Sequence, residues 1–228
     1  MVAMIEIIPA VMPKHYDDLL EKINRVDDLV KWVQIDVMDG VFVKSKSWPY
    51  VGDPKGHFAL MKDQDEGLPS WDKLDFSIDM MVSNVEEKAL EWIEVGASRL
   101  IFHIESMKEP AEEYFKNLKD QYGVEICLAL APSTPNSAIM PFLDVIDSVQ
   151  FMGIEKVGFQ GEPFVEEVYE KMSALRALTT LPISIDGGVN FDTAPKLVEA
   201  GATRLVSGSV LFNSPSIIDA LEDFEDLF

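Results

Sequence analysis

One feature limits the fold of this chain more than any other: short β-type runs alternate with helical patterns from one end to the other. Eight such runs fall at residues 5–11, 31–36, 75–80, 99–103, 125–130, 148–152, 182–186 and 204–207. Between them, most segments read as amphipathic helices. Residues 16–26 place Leu19, Leu20, Ile23 and Val26 at helical spacing, and residues 85–95 do the same with Ala89, Leu90, Trp92 and Ile93. Residues 164–178 and 191–200 follow suit. A strand that returns through a helix re-enters its sheet in parallel, so the alternation predicts a parallel sheet. Eight units in 228 residues predict closure into one (β/α)8 TIM barrel domain spanning 1–228, rather than an open doubly wound sheet. Gly96-Ala97 and Gly201-Ala202 sit where a helix must end before the next strand, which suits Gly. The stretch 44–74 breaks the rhythm. It is rich in Pro, Gly, Asp and Lys and holds only a weak helical pattern near 57–62. It reads either as a functional loop or as a surface insertion with a degenerate helix.

Composition narrows the partners. With 47% apolar and 26% charged residues the chain can fill a core. Nineteen basic and 40 acidic residues leave a net charge of −21, which repels nucleic acid and anionic membranes. It also repels a phosphorylated ligand, so any phosphate site must be built locally. The acidic excess reads first as a solubility or ionic-environment adaptation. The acidic stretch 222–226 is expected on the exposed face of a last helix. No apolar run is long enough for a membrane span, and the first residues lack a signal-peptide pattern. With the single cysteine, Cys127, these features predict a cytoplasmic address.

Three of the predicted strands end in Ile-Asp, at Asp36, Asp79 and Asp186. In a parallel barrel every strand C-terminus reaches the same mouth, so three carboxylates converge there. Like charges held together call for a cation, a shared proton or a cationic ligand. The alternative is that each Asp caps the helix after it. Glycine-rich turns follow the last three strands: Gly158 to Gly161, then Gly187-Gly188, then Gly208-Ser209. Backbone N–H groups in such turns cradle phosphate, and their joint placement points to one anion site. His103 ends the fourth strand, and Met38, Met81 and Met152 fall near strand ends, where they can line a pocket that keeps out water.

These pieces resemble the ribulose-phosphate 3-epimerase family. The matching residues are Ile35-Asp36-Val37-Met38-Asp39-Gly40-Val41-Phe42-Val43, Met80-Met81-Val82, Phe102-His103-Ile104-Glu105 and Ala131-Pro132-Ser133-Thr134-Pro135. Gly158-Phe159-Gln160-Gly161-Glu162-Pro163-Phe164, Ile185-Asp186-Gly187-Gly188-Val189 and Ser207-Gly208-Ser209-Val210-Leu211-Phe212 follow in the family's order. The resemblance implies a ribulose-phosphate-binding barrel, a small phosphosugar substrate and a homo-oligomer. It also implies inversion at C3 of a ketopentose phosphate through an enediolate, with Asp36 and Asp186 as the two acid/base groups. Family members usually add a divalent metal held by two His and these two Asp.

The chain departs from the family at the metal. Gln34 stands where the family has its first His, and Asp79 stands in place of the second. The ligand set becomes Gln34, Asp36, Asp79 and Asp186, all oxygen donors, which favours Mg²⁺ or Mn²⁺ over Zn²⁺, or no metal at all. Pro9-Ala10-Val11-Met12-Pro13 also lacks the hydroxyls of the family's opening strand, and Lys156 stands in an unusual place, either adding charge near the phosphate or lying solvated in its loop. Three readings follow: an epimerase with an atypical metal, a related enzyme on another phosphosugar such as a hexulose phosphate, or a non-catalytic phosphosugar-binding protein.

Overall fold

The computed structural model describes residues 5–64, 66–159 and 161–228; residues 1–4, Asp65 and the Gln160 of the glycine-rich loop lie outside the described residues. Eight strands, β1 (Glu6–Val11), β2 (Trp32–Met38), β3 (Asp75–Met81), β4 (Ala97–His103), β5 (Glu125–Leu130), β6 (Ser148–Met152), β7 (Ile183–Asp186) and β8 (Arg204–Ser207), form a closed parallel barrel in sequence order. Closure is made by β8 on β1, from Glu6 opposite Arg204 to Pro9 opposite Ser207. The helices are α1 (Tyr16–Asn24), α2 (His57–Gln64), α3 (Val85–Glu94), α4 (Glu112–Tyr122), α5 (Glu167–Arg176), α6 (Ala194–Glu199), α7 (Ser209–Phe212) and α8 (Ile217–Glu225). The (β/α)8 barrel read from the alternation is the fold.

The alternation within each strand sorts side chains by face. On β2, Val33, Ile35 and Val37 belong to the large core between strands and helices, while inside the barrel Gln34 donates to Asp36 of its own strand and to Asp186 of β7. Helix α1 buries Leu19 and Ile23 as its spacing predicts, and His15 caps it by accepting the N–H of Asp18 at 3.1 Å. In α3, Ala89 and Trp92 are buried, but Leu90 faces outward. Within 222–226, Phe224 turns inward to the core while its acidic neighbours stay exposed.

Three differences from the sequence reading have clear causes. Strands β2 and β3 run on to Met38 and Met81, because Val37 and Met38 still find ladder partners in Met80 and Met81. Asp36 and Asp79 therefore lie within strands, opposite one another, and the helix-capping alternative falls away for both. Helix α6 starts later than its pattern because Asn190 accepts the N–H groups of Asp192 and Thr193 at 2.9 and 3.0 Å, holding a turn in place of the first helical turn. Between β5 and β6 two short 3₁₀ turns, Asn136–Ala138 and Met140–Phe142, replace a helix. The Lys171 ammonium of α5 donates to the carbonyls of Ala131, Pro132 and Thr134 at 2.7–2.9 Å and ties that connection down.

The stretch 44–74 packs part of its length into the core. It supplies α2, whose first turn is capped by Asp53 accepting from the N–H of His57 (2.8 Å) and Phe58 (3.1 Å). Trp48 and Leu68 are fully buried, and Phe58 and Met61 nearly so, in the same core as Trp92. Ring centroids of Trp48, Phe58 and Trp92 lie 4.7–6.0 Å apart. The weak pattern arises because this helix buries few residues of its own, and the preceding loop carries Trp48. Among the described residues, no helix is long and apolar enough to cross a membrane.

Candidate active site

The mouth of the barrel is polar where β2, β3, β4, β6 and β7 converge. Asp36 and Asp79 are buried, and Asp186 opens partly to solvent. One oxygen from each can be chosen so that all three lie within 4.8 Å of one another. The amide of Gln34 sits among them. Its Nε2 donates to Asp186 at 2.7 Å and to Asp36 at 2.9 Å, with Asp79 farther off at 3.5 Å. An amide carries two N–H donors, so two close bonds and one long one are what it can sustain. On the far side Asp79 meets the ring Nε2 of His103 at 2.8 Å and the amide Nε2 of Gln150 at 3.3 Å.

Burial and mutual repulsion dominate the electrostatics. Burial, then the charges of Asp186 and Asp79, raise the Asp36 carboxyl well above its ordinary range. Burial, then Asp79, push Asp186 up to about 7. Burial disfavours the charged form of His103, but the adjacent Asp79 overcomes it and raises the imidazole above its usual value. A carboxyl raised in the folded state binds its proton more tightly folded than unfolded. The stability it contributes is full below the unfolded value near 4 and is lost as pH rises towards about 7. The chelator-treated protein is therefore expected to melt at a higher temperature at pH 5 than at pH 7.5. In Asp186→Asn the difference should shrink, and an unchanged difference would contradict this account of the cluster.

Above the carboxylates lies a cavity of about 200 Å³, bordered by Asp36 and Asp186. All six residues expected at a phosphate, Gly158, Gly161, Gly187, Gly188, Gly208 and Ser209, line it, as do Met81 and Met152. Gly187 and Gly188 adopt φ of +96° and +72°, and side chains there would press on Ile154 and Phe164. Behind them the N–H of Gly153 donates to the carbonyl of Asp186 at 2.6 Å, which a residue larger than Gly at 153 would disrupt by striking the Gly187 carbonyl. Met38 and His103 are not in this lining. The Met38 sulfur packs beneath Gly158, and His103 floors a second opening of about 540 Å³, shared with Phe42, Val43 and Phe159. Lys156 borders that second opening, exposed and paired with Glu162 at 3.4 Å, so it adds no charge to the glycine-lined cavity.

Residues not anticipated complete the mouth. Asp39 accepts from the Val41 and Ser83 N–H groups, both 2.9 Å, the Ser83 hydroxyl at 2.7 Å and the Lys88 ammonium at 2.6 Å. Its carboxyl is partly buried, and these donors outweigh that burial to hold it well below the usual range. The clamp fixes the loop after β2 to the start of α3. Gln150 is the other addition. Its only sequence signal is a polar residue at the inward parity of β6, in step with Ser148 and Met152 and flanked by apolar Val149 and Phe151.

The three carboxylates suit an oxygen-preferring cation. Gln34 fits the same set, because its amide oxygen and nitrogen exchange places by rotation about the terminal torsion without changing shape. The arrangement thus gives two close carboxylates of raised proton affinity, one from β2 and one from β7, a third carboxylate held by His103 and Gln150, and a glycine-lined recess beside them.

Comparison with known proteins follows the same lines. The model of the ribulose-phosphate 3 epimerase family matches residues 6–212. The ribulose-phosphate 3-epimerase of Eremothecium gossypii is 30% identical, covering 96% of this chain and 91% of its own. That of Treponema pallidum is 32% identical over 80% of this chain and 79% of its own. Among solved structures, KGPDC from Streptococcus mutans in complex with a pentose phosphate matches with a TM-score of 0.72 at 15% identity, covering 98% of this chain and 96% of that one, a likeness of fold.

Proposed function

The chain belongs to the ribulose-phosphate 3-epimerase family, and on that premise we propose that it inverts C3 of a ketopentose phosphate by proton transfer through an enediolate. The observation that carries this reading is the placement of Asp36 and Asp186 on the wall of the cavity lined by Gly187, Gly188, Gly208 and Ser209. A substrate with its phosphate on those glycine turns lays its carbon chain over the two carboxylates. Asp36 and Asp186 come from β2 and β7, so they address a carbon from different sides. One takes the C3 proton while the other returns one to the opposite face. Such exchange works best with groups titrating near neutral pH, and in the metal-free protein Asp186 is raised to about 7. Met81 and Met152 shield the carbanionic carbon from water.

Gln34, Asp36, Asp79 and Asp186 would hold a divalent cation, with Mg²⁺ or Mn²⁺ preferred over Zn²⁺ because every donor is oxygen. When bound, such an ion polarises the C2 carbonyl and holds developing negative charge. Without an ion, the Gln34 amide nitrogen donates to both Asp36 and Asp186 and holds them in register. The resemblance further supports a homo-oligomer, which sedimentation velocity would test. The buried free thiol of Cys127 supports a reducing, cytoplasmic setting.

The decisive experiment follows the C3 proton of ribulose 5-phosphate in D₂O by NMR, with chelator-treated protein and then with Mg²⁺, Mn²⁺ or Zn²⁺. Metal-stimulated deuterium incorporation, greatest with Mg²⁺ or Mn²⁺, is expected. A second reading, a longer ketose phosphate, is favoured by the second opening across Phe159 from the first cavity. Exchange on a ketohexose phosphate but not on ribulose 5-phosphate would select it. Binding without exchange on either would leave a phosphosugar-binding protein.

A further inference from the structure

Gln150 has no part in the scheme above, yet it is a buried polar side chain at the site. It is 1% exposed and lies between apolar Val149 and Phe151 on β6, with its amide turned into the barrel. Its Nε2 donates to Asp79 Oδ2 at 3.3 Å, and its other neighbour is the weak acceptor Met152 sulfur at 4.0 Å. Asp79 itself receives three side chains from three different strands. His103 of β4 meets Oδ1 at 2.8 Å, whereas Gln150 of β6 and Gln34 of β2 share Oδ2 at 3.3 and 3.5 Å.

We propose that Gln150 is a positioning residue that, with His103, locks the rotation of the Asp79 carboxylate so that Oδ2 stays aimed at Gln34 and the two other carboxylates. The proposal rests on the functional reading above, in which Asp79 is a cation ligand. A carboxylate turns easily about its last torsion. One partner on each oxygen, arriving from two different strands, β4 and β6, removes that freedom. The long bond from Gln34 cannot do this, because the two hydrogens of that amide already serve Asp36 and Asp186. Groups outside a ligand set that orient it commonly set its metal affinity by about 10–100-fold.

The test is Gln150→Met, which keeps length and flexibility and removes the donor. Two readouts are taken on the full chain: Mn²⁺ affinity by electron paramagnetic resonance, and the His103 ring N–H resonance by NMR. The expected result is Mn²⁺ affinity at least tenfold weaker and a shifted His103 resonance, while affinity for inorganic phosphate is unchanged. Mn²⁺ affinity within twofold of wild type together with an unmoved His103 resonance would overturn the proposal. If the wild type itself takes up no Mn²⁺, the metal part of the functional reading fails, and the His103 resonance alone decides whether Gln150 positions Asp79. Should Gln150→Met not fold, Gln150→Asn retains the amide one methylene short of Asp79 and is judged by the same two signals.

Discussion

Replacing Asp186 with Asn, or Asp36 with Asn, is expected to lower C3 proton exchange by about 10²–10⁴-fold, the range typical of losing a positioned acid or base. Asn keeps the shape and can still bond to the Gln34 amide through its oxygen, but it neither takes nor returns a proton. Inorganic phosphate should bind each variant as it binds the wild type, since the glycine turns are untouched. The variants should also differ in a second respect. Removing one carboxylate relieves its neighbour of a like charge, and repulsion from Asp186 is part of what raises Asp36. Residual activity in Asp186→Asn should therefore extend to lower pH than in the wild type. Substantial exchange in both variants, measured in D₂O by NMR, would show that neither Asp handles the C3 proton.

Trp48→Ala is expected to remove about 3–5 kcal/mol of stability, a large part of the roughly 5–15 kcal/mol that holds a domain together. The indole is fully buried against Tyr16, Phe58 and Trp92, so truncation leaves a void that rings on separate elements cannot collapse to fill. Urea unfolding would show the loss as a lower midpoint with little change in slope. Trp71→Ala is the control. That side chain lies in the same stretch but is 67% exposed, and its loss should stay within about 0.5 kcal/mol. A cost below about 1 kcal/mol for Trp48→Ala would mean that the stretch 44–74 does not belong to the core.

These two predictions draw on different kinds of information. Asp36 and Asp186 are legible in the sequence, because Ile-Asp at the C-terminal part of a strand in a parallel barrel lies near the shared mouth. The same logic brings the six residues of the glycine-rich turns to one cavity. Trp48 is not legible in this way. It lies in a loop without periodicity, and its burial depends on Phe58 and Trp92, which come from α2 and α3. His103 illustrates the limit from the other side. Its strand position predicts the mouth correctly, but not that its ring turns to Asp79 and floors a separate opening.

What the sequence by itself determined is what depends on local period: eight strands, most of the helices that return them, and the carboxylates carried to the mouth at strand ends. Turn chemistry belongs with these, since a glycine-rich turn announces itself wherever it lies. What only the tertiary structure decided is which inward atoms meet. The Gln34 amide reaches Asp186 across 152 positions of chain, and Gln150 reaches Asp79 across 71. No local pattern encodes such pairings. They arise from closing the barrel, which sets the stagger of all eight strands at once and so decides which polar groups share a level. That Gln34 and Asp79 stand where the resemblance implies two His was legible in the sequence. That the new amide would lie between three carboxylates, with His103 and Gln150 bracing the third, required the closed ring of strands to bring them within hydrogen-bonding distance.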